Sequence, residues 1–450
     1  MARLRARTAT LALLSLAGLA CGGEVAPGEV RERLADAAPP NLVLFLVDTL
    51  RADATSPYGS ERDTTPELRA WAERGWLFEN ARAQSSWTKI SMTSLLTSLW
   101  PRSHGVREAR DGLDDQATTL AEVLREAGYR TWAVQTNGWL HPSFGVQQGF
   151  ERYRFPHAGG GLVRGRSVWA HADRVYEEAE RLLDAHAEAG DSAPFFLYLH
   201  FMDVHQYAAP PEYHRYGGDD RGAYLAAVRW VDDVVARVRR KLARNGWLDR
   251  SVLVLASDHA EAFGENGVNG HAKNVLTSQV AVPLVIRPPF PVAPLRVRAQ
   301  VRNLDLAPTL LELAGVPAPR SFEGRSLLPL LLGEEAERDR PSFAALGQPL
   351  FAEARVQHTL SDGTWTYVHN RDGKEPREQL FDRRVDPQEN VDLATMEPRE
   401  TARQRRRLEA HRGAASEALR RSGVHIDPGI AERLRALGYL PDGATGDGAP

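Results

Sequence analysis

Cysteine is almost missing from this sequence: Cys21 is the one in 450 residues. No intrachain disulfide can form, and a cysteine-built zinc site is excluded. Charge of one sign is missing as well. A formal net charge of −3 gives no reason to expect nucleic acid as a partner. The apolar run near the amino terminus, Leu11 to Ala20, falls short of the ~20 residues a membrane span needs. With 26% charged and 42% hydrophobic residues, the composition is that of a globular protein, neither disordered nor polytopic. There is no internal repeat, and the length allows a large core and predicts two subdomains.

Residues 1–20 read as a signal peptide, with Arg3, Arg5 and Arg7 ahead of that apolar run. Ala17-Gly-Leu-Ala-Cys21-Gly-Gly resembles a bacterial lipobox, in which Cys21 would become the lipidated first residue. Cleavage after Ala20 without a lipid is the other reading. The first predicts an exported protein anchored by Cys21 on a cell-envelope membrane, at the outer membrane or the periplasmic face. Residues 21–40 then form a polar, Pro-containing tether.

What the sequence does have is two unbroken apolar runs, each ending in acid. Asn41-Leu-Val-Leu-Phe-Leu-Val-Asp48 and Ser251-Val-Leu-Val-Leu-Ala-Ser-Asp258-His259 read as fully buried strands. Further strands are predicted at Thr131–Gln135, Phe195–Phe201 and Val280–Ile286. Helices are predicted at Pro66–Gly75, Ser91–Leu99, Thr118–Gly128, about His171–Glu188, Tyr224–Asn245 and Leu306–Gly315. This alternation predicts an α/β fold, a mixed, mainly parallel sheet flanked by helices. From about residue 351 the texture changes. Phe351–Leu360, Thr364–Asn370 and Glu378–Asp382, punctuated by Asp-Gly turns at Asp362 and Asp372, predict a small antiparallel subdomain over 351–400. A charged helical tail over 401–450 closes the chain, and 41–350 is left as the main domain.

In an open α/β sheet ligands bind beyond the carboxyl ends of the strands. Asp48, Asp258 and His259 should therefore meet at one rim, and two carboxylates with an imidazole suit a divalent metal. Between the two runs lies Ser85-Ser-Trp-Thr88-Lys-Ile-Ser-Met-Thr-Ser-Leu-Leu-Thr97, whose hydroxyls stand at the start of a predicted helix and offer a nucleophile.

Several motifs, in order, resemble the sulfatase family of the alkaline phosphatase superfamily over roughly residues 41–440. They are Val47-Asp48-Thr-Leu-Arg-Ala-Asp53, Thr64-Thr-Pro66, Ser86-Trp-Thr88 with Ser94-Leu-Leu-Thr97, and Trp100-Pro-Arg-Ser-His104-Gly105. His200-Phe-Met-Asp203-Val-His205, Ser257-Asp-His259, Gly270-His271, Asp305 to Gly315, Gly324 to Pro329 and Leu380 to Asn390 follow. Their joint order is far more specific than any one of them. The resemblance implies an alkaline phosphatase-like fold and hydrolysis of an anionic ester, sulfuric or phosphoric. It implies one divalent ion (Ca²⁺, Mg²⁺, Mn²⁺ or Zn²⁺) on Asp48, Asp258 and His259. Thr49 stands where relatives often carry a second acidic or amide ligand.

Thr88 occupies the position of the residue that relatives convert to formylglycine. Threonine cannot be converted, so no formylglycine is expected and Thr88 would attack directly; a helix-capping role is compatible with this. His205 would stabilise charge or protonate the leaving oxygen, with His200 and Asp203 nearby to orient it. His271 and Lys273 follow in a Gly-containing loop, Lys273 binding an ester oxygen or remaining a solvated loop charge. Asn137 matches a polar oxyanion contact. Lys89 is either a neutraliser of anionic substrate or a surface lysine, while Arg51 and Asp53 are structural. The chain departs from the family at Ile90 and Met92, where Pro and Arg are usual, and at Ala260, where Gly is usual. Two other readings follow: a phosphoryl or phosphonate-type transferase on the same residues, and a lipid-anchored pseudoenzyme that binds an anionic ligand.

Overall fold

β1 (Asn41–Val47) is the central strand, and all seven of its residues are buried. Its side chains alternate between two cores: Leu42, Leu44 and Leu46 enter one, Val43, Phe45 and Val47 the other. Burying each of these is worth roughly 1.5–3 kcal/mol relative to exposure, so a slip of one register position is strongly opposed. The computed structural model describes residues 24–156, 161–163, 166–168, 172–347, 354–371, 377–414, 418–426 and 428–436. The expected signal peptide, Cys21, the Asp372 turn and the last fourteen positions lie outside them.

The main sheet also contains β2 (Trp76–Arg82), β3 (Arg130–Val134), β4 (Arg152–Arg154), β5 (Phe195–Phe201), β6 (Ser251–Ala256), β7 (Ala281–Val282), β8 (Leu284–Arg287) and β9 (Leu295–Arg302). Their order is β7-β2-β8-β6-β1-β5-β3-β4, with β9 beside β2. β1 runs parallel to β5 and β6, β3 to β4 and β5, and β9 to β2. Only β7 and β8 run against their neighbours. This is the mixed, mainly parallel sheet that the sequence predicts. α1 (Pro66–Ala72), α4 (Ala172–Glu188) and α5 (Asp220–Arg244) pack on one face. On the other lie α2 (Thr88–Thr97), α3 (Leu120–Glu126) and α6 (Leu306–Leu313). Among the described residues no helix is long and apolar enough to cross a membrane.

A four-stranded antiparallel sheet follows, in the order β10 (Ser342–Leu346), β11 (Gln357–Ser361), β12 (Trp365–Asn370), β13 (Glu378–Asp382). The β11–β12 turn has Gly363 at φ +85°, and Asp362 accepts the backbone N–H groups of Thr364 and Trp365. α7 (Pro398–Gly413) covers this sheet through Leu408, which packs with Leu360, Tyr367 and Leu380.

Several elements depart from expectation for local reasons. α2 begins at Thr88, three residues before the predicted start, because the extended backbone of Trp87 already forms the cap. α5 starts at Asp220 rather than Tyr224, since Asp219 Oδ1 accepts the Gly222 N–H at 2.8 Å. The single strand predicted over Val280–Ile286 is broken: Pro283 separates β7 from β8 and has no N–H to give the ladder. β2, β4, β9 and β10 were not predicted, although Leu295-Arg-Val-Arg-Ala-Gln-Val-Arg302 carries the alternation of a half-buried strand.

Candidate active site

The register of the parallel strands builds the site. Leu46 pairs with His200 on one side and Ala256 on the other, so Asp48 emerges from β1 level with Asp258, two residues beyond β6. Asp48, Asp258 and His259 are fully buried, and one ligand atom from each lies within 4.8 Å of the others. Asp48 Oδ1 and Asp258 Oδ2 accept no hydrogen bond. Buried carboxylate oxygens are costly without a partner. His259 Nδ1–H donates to the Ala260 carbonyl at 3.1 Å, which turns the lone pair of Nε2 inward, 3.3 Å from Asp258 Oδ2 and 3.8 Å from Asp48 Oδ1. Two unanswered carboxylate oxygens and an imidazole lone pair at one point fit a divalent cation. Asp48 is held below the usual carboxylate range, burial being outweighed by the His200 hydrogen bond and the nearby imidazoles. Burial and the adjacent Asp48 push Asp258 up.

Thr88 occupies the first position of α2, and its hydroxyl caps nothing. Oγ1 lies 3.2 Å from His259 Nε2 and 3.4 Å from Asp48 Oδ2, at the positive end of the helix dipole. Asn137 Nδ2 donates to Asp48 Oδ2 at 2.8 Å and reaches Thr88 Oγ1 at 3.3 Å. His200 Nε2 contacts Asp48 Oδ2 at 3.0 Å, and Tyr198 Oη reaches His200 Nδ1 at 2.6 Å. Both come from the buried strand β5.

A row of imidazoles leads away from this centre. The His259 and His271 rings stack at 4.8 Å, and His271 meets His205 at 4.6 Å. Glu261 fixes His271, its Oε2 accepting Nδ1–H at 2.6 Å, while Tyr207 Oη donates to Oε1 at 2.6 Å. Against the burial that opposes it, Glu261 raises the affinity of His271 for its proton. Burial and neighbouring His271 push partly buried His205 down to about 4. Lys273 belongs to the same group: a Cβ at Gly270 would lie 3.8 Å from both Lys273 Nζ and Glu261 Oε1.

Two residues, Thr49 and Lys89, differ from expectation. Thr49 sits at φ +60°, rare for a β-branched residue, and its hydroxyl donates to the Asp48 carbonyl at 2.6 Å. It therefore turns its N–H, not its hydroxyl, to Asp258 Oδ1 at 3.3 Å. Lys89 is neither at the surface nor at the centre. It is buried, Nζ donating to the Glu108 and Ala109 carbonyls at 3.1 and 2.7 Å. Asp203 Oδ1 accepts from the Ala172 N–H and Trp230 Nε1–H. Arg51 and Asp53 pair at 2.6 Å, and Arg51 also binds Glu265 and the Glu261 carbonyl, which is structural as expected. Ile90 and Met92 are packed in the core. Sequence reasoning missed Glu261, Tyr207 and Tyr198 as supports; Tyr198 and His200, two polar residues in the otherwise apolar run of β5, were the available signal.

The sulfatase family model matches residues 40–316, and the model for the carboxyl-terminal part of N-sulphoglucosamine sulphohydrolase matches 270–412. N-acetylgalactosamine-6-sulfatase of the dog is 28% identical over 79% of this chain and 76% of its own length. Human arylsulfatase K is 24% identical over 86% of this chain and 84% of its own. Among solved structures, the phosphonate monoester hydrolase of Agrobacterium radiobacter superposes with a TM-score of 0.69, at 20% identity, over 83% of this chain and 96% of its own. A protein in complex with its substrate D-glucosamine-2-N,6-O-disulfate gives 0.69 at 18% identity, over 83% and 98%.

Proposed function

Because this chain belongs to the sulfatase family, and so to the hydrolases of ester bonds, we propose that it cleaves a sulfuric or phosphoric ester with Thr88 as nucleophile and a divalent metal as cofactor. The observation that carries this reading is the Thr88 hydroxyl at a helix amino terminus, within 3.4 Å of Asp48 and 3.2 Å of His259. Asp48, Asp258 and His259 would hold the cation, which when bound supplies Lewis-acid chemistry and makes a hydroxyl easier to ionise.

The chain's own groups do the rest. Thr88 Oγ1 bonds to sulfur or phosphorus as its proton passes to the carboxylate pair and the bond to the leaving oxygen breaks. His271, held by Glu261, protonates the leaving oxygen. His205, Lys273 and Asn137 donate to the anionic oxygens. Water then gives its hydroxyl to sulfur or phosphorus and its proton to His271 as the bond from Thr88 Oγ1 to that atom breaks, and Oγ1 takes its proton back from the carboxylate pair. An acceptor hydroxyl in place of water would make the same site a transferase. The unanswered oxygens of Asp48 and Asp258 favour the metal enzyme over a pseudoenzyme.

Turnover of aryl sulfate, phosphate monoester, phosphodiester and phosphonate ester, each with a defined divalent metal, tests this. Thr88→Ala should lower kcat on the order of 10³-fold or more, and the preferred ester names the substrate class. Undiminished turnover in Thr88→Ala would remove Thr88 as nucleophile. The anionic disulfated sugar bound by one structural neighbour supports an anionic ester substrate. Anchoring through Cys21 belongs to the same reading: fatty-acid labelling of the full chain should vanish in Cys21→Ser, and no label on the parent chain would exclude it.

A further inference from the structure

Away from Thr88, positive charge gathers on and beside the carboxyl-terminal sheet, in excess of the carboxylates near it among the described residues. Arg107 follows the Trp100–Gly105 motif, Arg371 follows β12, and Arg412 lies in the last turn of α7. Arg371 Nη1 lies 3.2 Å from His358 Nε2, and His358 stands directly opposite His369 across β11 and β12. Arg107, His358 and Arg412 line one small cleft, with Arg102 and His411 at its side. Nearby arginines are paired: Arg102 with Glu323, Arg420 with Asp111, Arg405 with Glu378. Asp111 accepts the backbone N–H of Arg107, not its guanidinium. Among the described residues Arg107, Arg371 and Arg412 form no ion pair. The crowding is felt: burial and neighbouring guanidiniums lower Arg107 and Arg412 against the weaker pull of Asp111 and Glu409, and push His358 down to about 3.

Crowded like charges weaken a fold. A tetrahedral oxyanion would answer them together, since guanidinium forks bind sulfate and phosphate in paired hydrogen bonds. The cluster is also joined to the active site. The Arg355 N–H donates to the Lys273 carbonyl at 2.8 Å, and the Arg371 N–H to the Val356 carbonyl at 2.8 Å. Two backbone hydrogen bonds, made from the successive residues Arg355 and Val356, therefore connect the Arg371 and Lys273 backbones. Val275, two residues past Lys273, donates its N–H to Gln357 Oε1 at the start of β11.

We propose that Arg107, Arg371 and Arg412 form a second oxyanion site, which holds a remote sulfate or phosphate group of an extended anionic substrate while the ester to be cleaved lies at Thr88. This rests on the ester-hydrolase reading above.

The test titrates the full chain and its Arg107→Gln/Arg371→Gln/Arg412→Gln variant with a fluorescent heparin hexasaccharide, with linear polyphosphate and with single-stranded DNA, all of matched charge. The parent should bind the sulfated or the phosphorylated probe saturably, and the tighter of the two names the group. The variant should bind at least about tenfold more weakly, with an unfolding temperature equal or higher because repulsion is relieved. Its kcat/KM on a simple aryl ester should be unchanged. Equal binding by the variant, a lower unfolding temperature, or DNA bound as tightly as the other probes would overturn the proposal. If the parent hydrolyses no ester yet binds through these arginines, the hydrolase reading fails and the oxyanion site stands.

Discussion

His200 does for Asp48 what Glu261 does for His271: each holds its partner in one orientation from a buried position. His200 reaches Asp48 Oδ2 at 3.0 Å and is itself held by Tyr198 at 2.6 Å, so Asp48 can turn only Oδ1 toward a cation. Outer partners of this kind commonly govern metal affinity. His200→Ala should weaken divalent-metal binding by about 10–100-fold, with Tyr198→Phe giving a smaller loss, both read by calorimetric titration of the metal-free protein. An affinity unmoved by His200→Ala would leave that hydrogen bond without a role in the site. The residues readable from sequence were those at strand ends, where an acid closing an apolar run has no packing reason to be there: Asp48, Asp258, His259. Glu261 and Tyr207 lie 54 positions apart and meet only in the fold. No local pattern announces such a pair.

At the scale of elements, α2 decides where the Thr88 hydroxyl stands, and its first turn is fixed by a buried lysine. Lys89 Nζ lies 3.9 Å from the Phe144 ring centroid and 5.2 Å from that of Trp139, beneath two backbone carbonyls. Burial pushes its amine well below the ordinary value. Lys89→Ala would leave a cavity and two unsatisfied carbonyls, a loss of about 3–5 kcal/mol. Lys89→Met fills the same space and should lose roughly 1–3 kcal/mol, the cost of the unpaired carbonyls. Denaturant unfolding of both variants checks the order, and equal losses would show that the two hydrogen bonds rather than filling matter. The strands β1, β5 and β6 could be read from sequence because unbroken apolar runs have few other fates. α2 was misjudged at its start because Trp87, not a hydroxyl, makes the turn, and capping rules look for Ser, Thr, Asp or Asn. The break at Pro283 was readable in hindsight from the missing N–H.

For the molecule as a whole, buried neutral histidines set the response to acid. Burial is the first cause in each case: His104, His358 and His411 are all pushed down to about 3. An unfolded imidazole takes up its proton near 6.5, whereas these three refuse it in the fold. Between those values the unfolded chain binds more protons, so stability is fully present above about pH 6.5 and is lost as pH falls toward 3. Asp232, raised by burial to about 7 despite accepting the Glu67 and Leu68 N–H groups, acts in the opposite sense. It favours the fold at low pH and costs it stability as pH rises through roughly 4 to 7. Of the three imidazoles, His358 and His411 are partly exposed and count for less. His104 is the clean case: it is fully buried, Nδ1 accepts the Val106 N–H at 3.1 Å, and Nε2–H is left to Ser94 Oγ at 3.0 Å. A second proton has nowhere to bind without breaking the first of these bonds. His104 alone should therefore remove about 2 kcal/mol between pH 7 and pH 5. Urea unfolding at both pH values gives the difference directly. His104→Gln, which can keep both bonds and cannot titrate, should shrink that difference by most of this amount. A variant with the parent's full pH dependence would place the acid response elsewhere, in the carboxylates of the site itself.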